Sequence, residues 1–171
     1  MDTQYNTTSR DQPNGDRQSD INLLHKLTDQ DFIVRAPPSH SRLIGTGTVT
    51  SNSCSIGHSA IYLLGRYSSS TKEKFKNIPN LSIKNRYMSN KHCVLVYGKP
   101  LNEDETGWFV ADVNSTNGTY ANVDNGVLRL PPYKHFAINK MKFFTLAGSD
   151  VRYHISVGLY TTKITEMNQI L

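Results

Sequence analysis

Apolar residues come in short bursts along this chain. Ile61-Tyr62-Leu63-Leu64, Cys93-Val94-Leu95-Val96 and Trp108-Phe109-Val110-Ala111 are nearly continuous apolar runs, set apart by Gly, Asn, Ser and Pro. Short runs bounded by turn residues read as buried strands rather than helices. On this basis strands are expected at 43–49, 59–64, 81–83, 92–97, 108–113, 119–123, 142–146 and 151–159. So many short strands at this spacing predict an all-β sandwich. There is no heptad and no internal repeat. Residues 1–20 are polar and nearly free of large apolar groups, and are expected to be a disordered tail. Residues 21–41 read as a linker with a short helix, Ile21 to Leu27, behind an Asp20 cap. Pro37-Pro38-Ser39-His40 breaks the chain before the strand pattern begins. The domain is placed at 42–160, with 161–171 as a C-terminal tail.

The chain has 171 residues, enough for one domain with a real core. Hydrophobic residues make up 37%, mean hydropathy is −0.49, and no apolar run approaches the ~20 residues of a membrane span. Met1-Asp2-Thr3-Gln4-Tyr5 lacks the basic region and apolar segment of a signal peptide. Two cysteines, Cys54 and Cys93, are too few for a disulfide scaffold, and Cys93 reads as a small core residue. A reducing nuclear or cytoplasmic setting follows. No metal or cofactor signature is present.

Charge is unevenly placed. The chain nets +5. Arg66, Lys72, Lys74, Lys76, Lys84, Arg86 and Lys91 face only Glu73 within 66–91, so that window nets +6 and the remainder −1. Such a field favours encounter with an acidic partner. A nucleic acid is the weaker reading, since no interleaved aromatics or zinc spacing accompany the basic residues.

Three clusters at expected strand ends carry the chemistry. Gly65-Arg66 closes the 59–64 strand. Ser89-Asn90-Lys91-His92 opens the 92–97 strand. Asn114-Ser115-Thr116-Asn117-Gly118-Thr119 joins two further strands. An arginine presents a planar fork of donors that suits phosphate. A serine and an asparagine add neutral hydrogen-bonding groups, and Asn-Gly marks a turn. If these loops share one end of a sandwich, they converge on an anion.

In order and spacing the clusters resemble those of the forkhead-associated (FHA) domain family, over residues 42–160. The resemblance implies a β-sandwich of short antiparallel strands that binds phosphothreonine in partner proteins in signalling of the DNA-damage or cell-cycle type. It implies phosphate contacts from Arg66, Ser89 and Asn90. Asn117 is expected to hold the peptide backbone and Thr116 to line the pocket. Gly65, His92 and Gly118 are expected to support the loops. The residue two before the serine, Tyr87 here, is expected to face the third residue after the phosphothreonine, with Arg86 one step earlier. The long basic stretch between Arg66 and Ser89 matches some checkpoint-kinase members. A Gly-Asp pair usual in the family is replaced by Ala137-Ile138-Asn139-Lys140, so that turn must be built differently. Thr8 and Thr28 each have an acid three residues on, which suggests self-association through a phosphorylated tail. Two alternatives stay open: an FHA-like scaffold independent of phosphate, and a hydrolase using Ser89 and His92 with Asp112.

Overall fold

The computed structural model describes residues 32–48, 51–66 and 78–158. The tail, the 21–27 helix and the segment after 158 lie outside the described residues. Twelve strands are described: β1 (Phe32–Val34), β2 (Arg42–Thr46), β3 (Ser51–Ser55), β4 (Ile61–Arg66), β5 (Asn80–Ile83), β6 (Cys93–Pro100), β7 (Gly107–Asp112), β8 (Thr119–Val123), β9 (Gly126–Arg129), β10 (Phe136–Ala137), β11 (Phe143–Leu146) and β12 (Arg152–Ser156). They form two six-stranded sheets. One runs β10-β7-β6-β4-β5, with β1 paired to the far end of β6, and the other runs β3-β2-β12-β11-β8-β9. No α-helix occurs among the described residues, and none of their segments is a helix long and apolar enough to cross a membrane.

The apolar runs have a packing cause. Along β4, Tyr62 and Leu64 enter the core between the sheets, where they meet Leu95, Trp108, Val110, Phe144 and Tyr153. Leu63 points the other way, into a second cluster with Val94, Ala111, Val113 and Ile78. Phe32 covers Val96 and Phe109 in a third. The central strands of the first sheet are therefore buried on both faces and lose the period-two alternation of a half-exposed strand. The second sheet keeps that alternation in β2, where Leu43 and Gly45 are buried between exposed Arg42 and Thr46.

Four strands fall outside the eight expected. β3 reads Ser-Asn-Ser-Cys-Ser and is almost wholly exposed, yet it pairs with β2 at five positions. β9 is exposed throughout and pairs with β8. β10 is two residues long. β1 lies in the stretch read as a linker, and it places Phe32, Ile33 and Val34 against Pro100, Lys99 and Gly98. Edge strands bury one side at most, so pairing rather than hydrophobic patterning creates them. The β4–β5 pair is parallel, unlike the other named strand pairs. Where the Gly-Asp turn is missing, a 3-10 turn, Ile138–Lys140, buries Ile138 instead.

The single tryptophan is tied into this frame. Its indole N–H donates to Ser41 Oγ at 3.1 Å, and that hydroxyl donates to the Pro38 carbonyl at 2.7 Å. His135 stacks on Phe32 with ring centroids 4.3 Å apart, and its Nε2 is buried with no hydrogen-bond partner. Burial pushes its imidazole from 6.5 down to about 4. Between those values the unfolded chain binds a proton that the folded one refuses, so stability is full above about 6.5 and falls as pH drops toward 4. His135→Phe, which keeps the ring stack, is expected to show a shallower loss of stability across that window than the parent. Urea unfolding at pH 7, 5.5 and 4.5 measures it, and parallel profiles would contradict the assignment.

Candidate functional site

The three clusters meet at one end of the sandwich. β4 delivers Arg66 there, and its backbone N–H donates to the Ser89 carbonyl at 3.0 Å. The strand can approach this closely because residue 65 is glycine: a Cβ there would collide with the Asn90 carbonyl oxygen. The loop before β6 is pinned from below by Met88, buried at 2% exposure, and from within by Asn85, whose Oδ1 accepts the Tyr87 N–H at 2.9 Å.

His92 joins the loops. Its Nδ1 accepts the Ser89 N–H at 3.1 Å, so the ring proton sits on Nε2 and is donated to the Gly118 carbonyl at 2.8 Å. Its backbone N–H donates to Leu64 and its carbonyl accepts from Val113. Burial pushes the imidazole below the ordinary 6.5, while the Gly118 hydrogen bond and the Asp112 charge oppose the shift. The neutral ring this favours is the form that can accept from Ser89.

Asp112 organises the loop between β7 and β8. Its buried carboxylate accepts the Ser115 N–H at 2.9 Å, the Ser115 hydroxyl at 2.6 Å and the Thr119 hydroxyl at 2.7 Å. Ser115 Oγ in turn accepts the Gly118 N–H at 3.0 Å. Asn114 and Gly118 both adopt left-handed backbone, at φ 66° and 87°. An acid three residues before a serine at a strand end is a local capping pattern. That signal was legible in the sequence, where Asp112 was weighed only as a catalytic acid.

These supports leave a polar surface. Arg66 is exposed; its Nε donates to Asn90 Oδ1 at 3.3 Å and its Nη1 to the Arg86 carbonyl at 3.1 Å. Both acceptors are neutral, and no carboxylate meets the guanidinium among the described residues. Ser89 Oγ accepts the Thr116 N–H at 3.0 Å, which leaves its own proton free to donate outward. Exposed Asn117 donates from Nδ2 to the Tyr87 carbonyl at 2.6 Å. Arg86 lies over the Tyr87 ring, 4.9 Å from its centroid, and donates to its hydroxyl at 2.8 Å. Arg66, Ser89, Asn90, Thr116, Asn117, Tyr87 and Arg86 are thus brought together, with Gly65, His92 and Gly118 beneath them. Sequence reasoning passed over Arg129, which reaches the Thr116 carbonyl from β9. Only strand pairing puts it there. Among the described residues, no group of three His, Cys, Asp or Glu side chains is placed to hold a metal ion.

Residues 62–134, which contain every one of these groups, match the family model described as the FHA domain. Over these residues the chain carries an FHA domain. Among solved structures it is similar to the yeast Pml1 splicing factor, at 17% identity over 74% of this chain and 92% of that one, with a TM-score of 0.50. The FHA domain of TbPar42 is 15% identical over 82% of this chain and 69% of that one (TM-score 0.48), and the MEK1 FHA domain 20% identical over 70% and 90% (TM-score 0.46). No curated protein matches the chain in sequence. FHA domains are in general phosphothreonine-binding modules.

Asp112→Ala would leave the Ser115 and Thr119 donors buried without acceptors. At about 1–3 kcal/mol for each orphaned group, a stability loss of roughly 3–5 kcal/mol is expected in chemical denaturation. A loss under about 1 kcal/mol would show that the loop holds itself without the carboxylate.

Proposed function

We propose that this FHA domain is a non-catalytic module that binds phosphothreonine segments of partner proteins. In this reading Arg66, Ser89 and Asn90 contact the phosphate, Asn117 holds the peptide backbone and Thr116 lines the pocket. The observation that carries it is the exposed Arg66 guanidinium, held in place by neutral acceptors beside an available Ser89 proton. A dianion supplies the charge that this arrangement lacks. The hydrolase alternative finds little support. His92 spends both ring nitrogens on backbone groups, Ser89 Oγ faces Thr116 rather than the imidazole, and Asp112 serves Ser115 and Thr119. A nuclear or cytoplasmic signalling role of the DNA-damage or cell-cycle type is the finer part of the proposal. It is supported by the long basic stretch between Arg66 and Ser89.

Arg66→Ala is expected to weaken binding of phosphothreonine peptides at least tenfold, because a charge-assisted contact is worth roughly 1.5–3 kcal/mol. Its melting temperature should stay close to the parent's, since the side chain is exposed. Titration of matched phosphorylated and unphosphorylated peptides measures this. Parent-like affinity in a folded Arg66→Ala protein would overturn the site, and equal affinity for both peptides would favour the phosphate-independent scaffold.

The pairing of Arg86 with Tyr87 bears on selectivity. Tyr87 alone predicts weak preference for an acid at the third residue after the phosphothreonine. With the guanidinium resting on its ring and hydroxyl, the same position gains a cation. An acidic preference at that residue is expected, and Arg86→Ala should remove it. A peptide library randomised there decides between the two, and an unchanged preference in the variant would exclude Arg86.

A further inference from the structure

β9 is exposed along its whole length, yet its last residue is firmly placed. Leu130, next in the chain, is buried at 2% exposure and its N–H donates to the Thr119 carbonyl at 2.9 Å. Arg129 therefore stands opposite Tyr120, its register partner on β8. Its guanidinium carbon lies 5.8 Å from the Tyr120 ring centroid. From there the side chain lies across the loop that precedes β8. Nη2 donates to the Thr116 carbonyl at 3.3 Å, and Nε lies 2.8 Å from where a Cβ on Gly118 would be. The glycine thus leaves room for the cation as well as permitting the turn.

Arg129 has five N–H donors, and one of them meets Thr116. No carboxylate pairs with it among the described residues. Thr116 gives its carbonyl to Arg129 and its N–H to Ser89 Oγ, so a single residue separates this cation from the hydroxyl proposed to bind phosphate. Arg66 is held by Asn90 and the Arg86 carbonyl in the loop that carries Ser89, and Arg129 by the Thr116 carbonyl. Both guanidinium groups are oriented by neutral oxygens, and neither meets a carboxylate among the described residues. A ligand carrying one anion satisfies one of them.

We infer that Arg129 forms a second anion subsite at this end of the sandwich, which reads a carboxylate or phosphate borne by the same phosphothreonine peptide. The inference rests on the phosphothreonine reading of Arg66 and Ser89 and adds a further contact to it. A role limited to holding the Thr116 carbonyl would give the peptide no preference for a second charge.

The test uses peptide pools with one fixed phosphothreonine. Each flanking position in turn is set to alanine, glutamate or phosphoserine, and binding is followed by fluorescence anisotropy. At one flanking position other than the third residue after the phosphothreonine, which is assigned to Arg86, the parent should bind the glutamate or phosphoserine pool roughly tenfold more tightly than the alanine pool, as one added charge-assisted contact implies. The two arms separate a carboxylate reader from a phosphate reader. In Arg129→Gln, which keeps a donor for Thr116 but removes the charge, that ratio should fall to near one. Arg129→Lys should restore part of it. Persistence of the ratio in Arg129→Gln, its loss only in Arg86→Ala, or its absence in the parent overturns this inference while leaving the phosphothreonine reading intact. Failure of the parent to bind any phosphothreonine pool overturns both.

Discussion

One imidazole holds the functional end of this molecule together. His92 is the last residue before β6, and its ring accepts a hydrogen bond from the Ser89 N–H and donates one to the Gly118 carbonyl. The same residue's backbone ties it to Leu64 and Val113. The end of β4, the loop before β6 and the loop before β8 are therefore tied together by the side-chain and backbone hydrogen bonds of one buried residue. The arrangement needs the neutral ring with its proton on Nε2, since a second proton would face the Ser89 N–H. Burial supplies that condition by disfavouring the charged form.

Below the imidazole, hydrogen bonding and packing do different work. The Asp112 carboxylate sets the shape of the loop before β8 through three short contacts to Ser115 and Thr119. Met88 sets the height of the loop before β6 by filling the core. Gly65 lets the end of β4 lie against the Asn90 backbone. With those supports fixed, the exposed groups make few bonds among themselves, and the bonds they make go to neutral oxygens. Arg66 and Arg129 are oriented and paired with no described acid. A surface held this way is preorganised, so little ordering cost would be left for the proposed ligand to meet.

Much of this was legible before any coordinates. The apolar runs located the buried strands because a strand covered on both faces has to be apolar at nearly every position. The eight strands expected from the runs all appear, with ends shifted by a few residues. The three polar clusters, and their resemblance to FHA domains, marked where chemistry would sit. Arg66, Ser89, Asn90, Thr116 and Asn117 do meet at one end of the fold. The strands that were missed share a physical trait. β3, β9 and β10 are exposed or very short, and β1 sits beyond a pair of prolines. Their existence depends on a neighbour offering free N–H and carbonyl groups, and local sequence does not record a neighbour.

The sequence by itself determined the strand-rich class, the buried central strands and the residue types at the loops, because hydrophobic periodicity and turn chemistry act between residues close along the chain. It also determined a basic excess near the proposed site, since charge is a property of composition. Tertiary structure alone decided what each polar group does. Pairing of β8 with β9 carries Arg129 over the Thr116–Gly118 loop, from a strand with no distinguishing pattern. The local cap on Ser115 and the Thr119 hydroxyl take the Asp112 carboxylate, and closure of the sandwich spends both His92 ring nitrogens on backbone groups, so the three residues that the chain alone allowed as a catalytic set are not hydrogen-bonded as one. Hydrogen-bond partners are chosen by distances of about 3 Å, and between residues distant in sequence those distances exist only once the two sheets have packed.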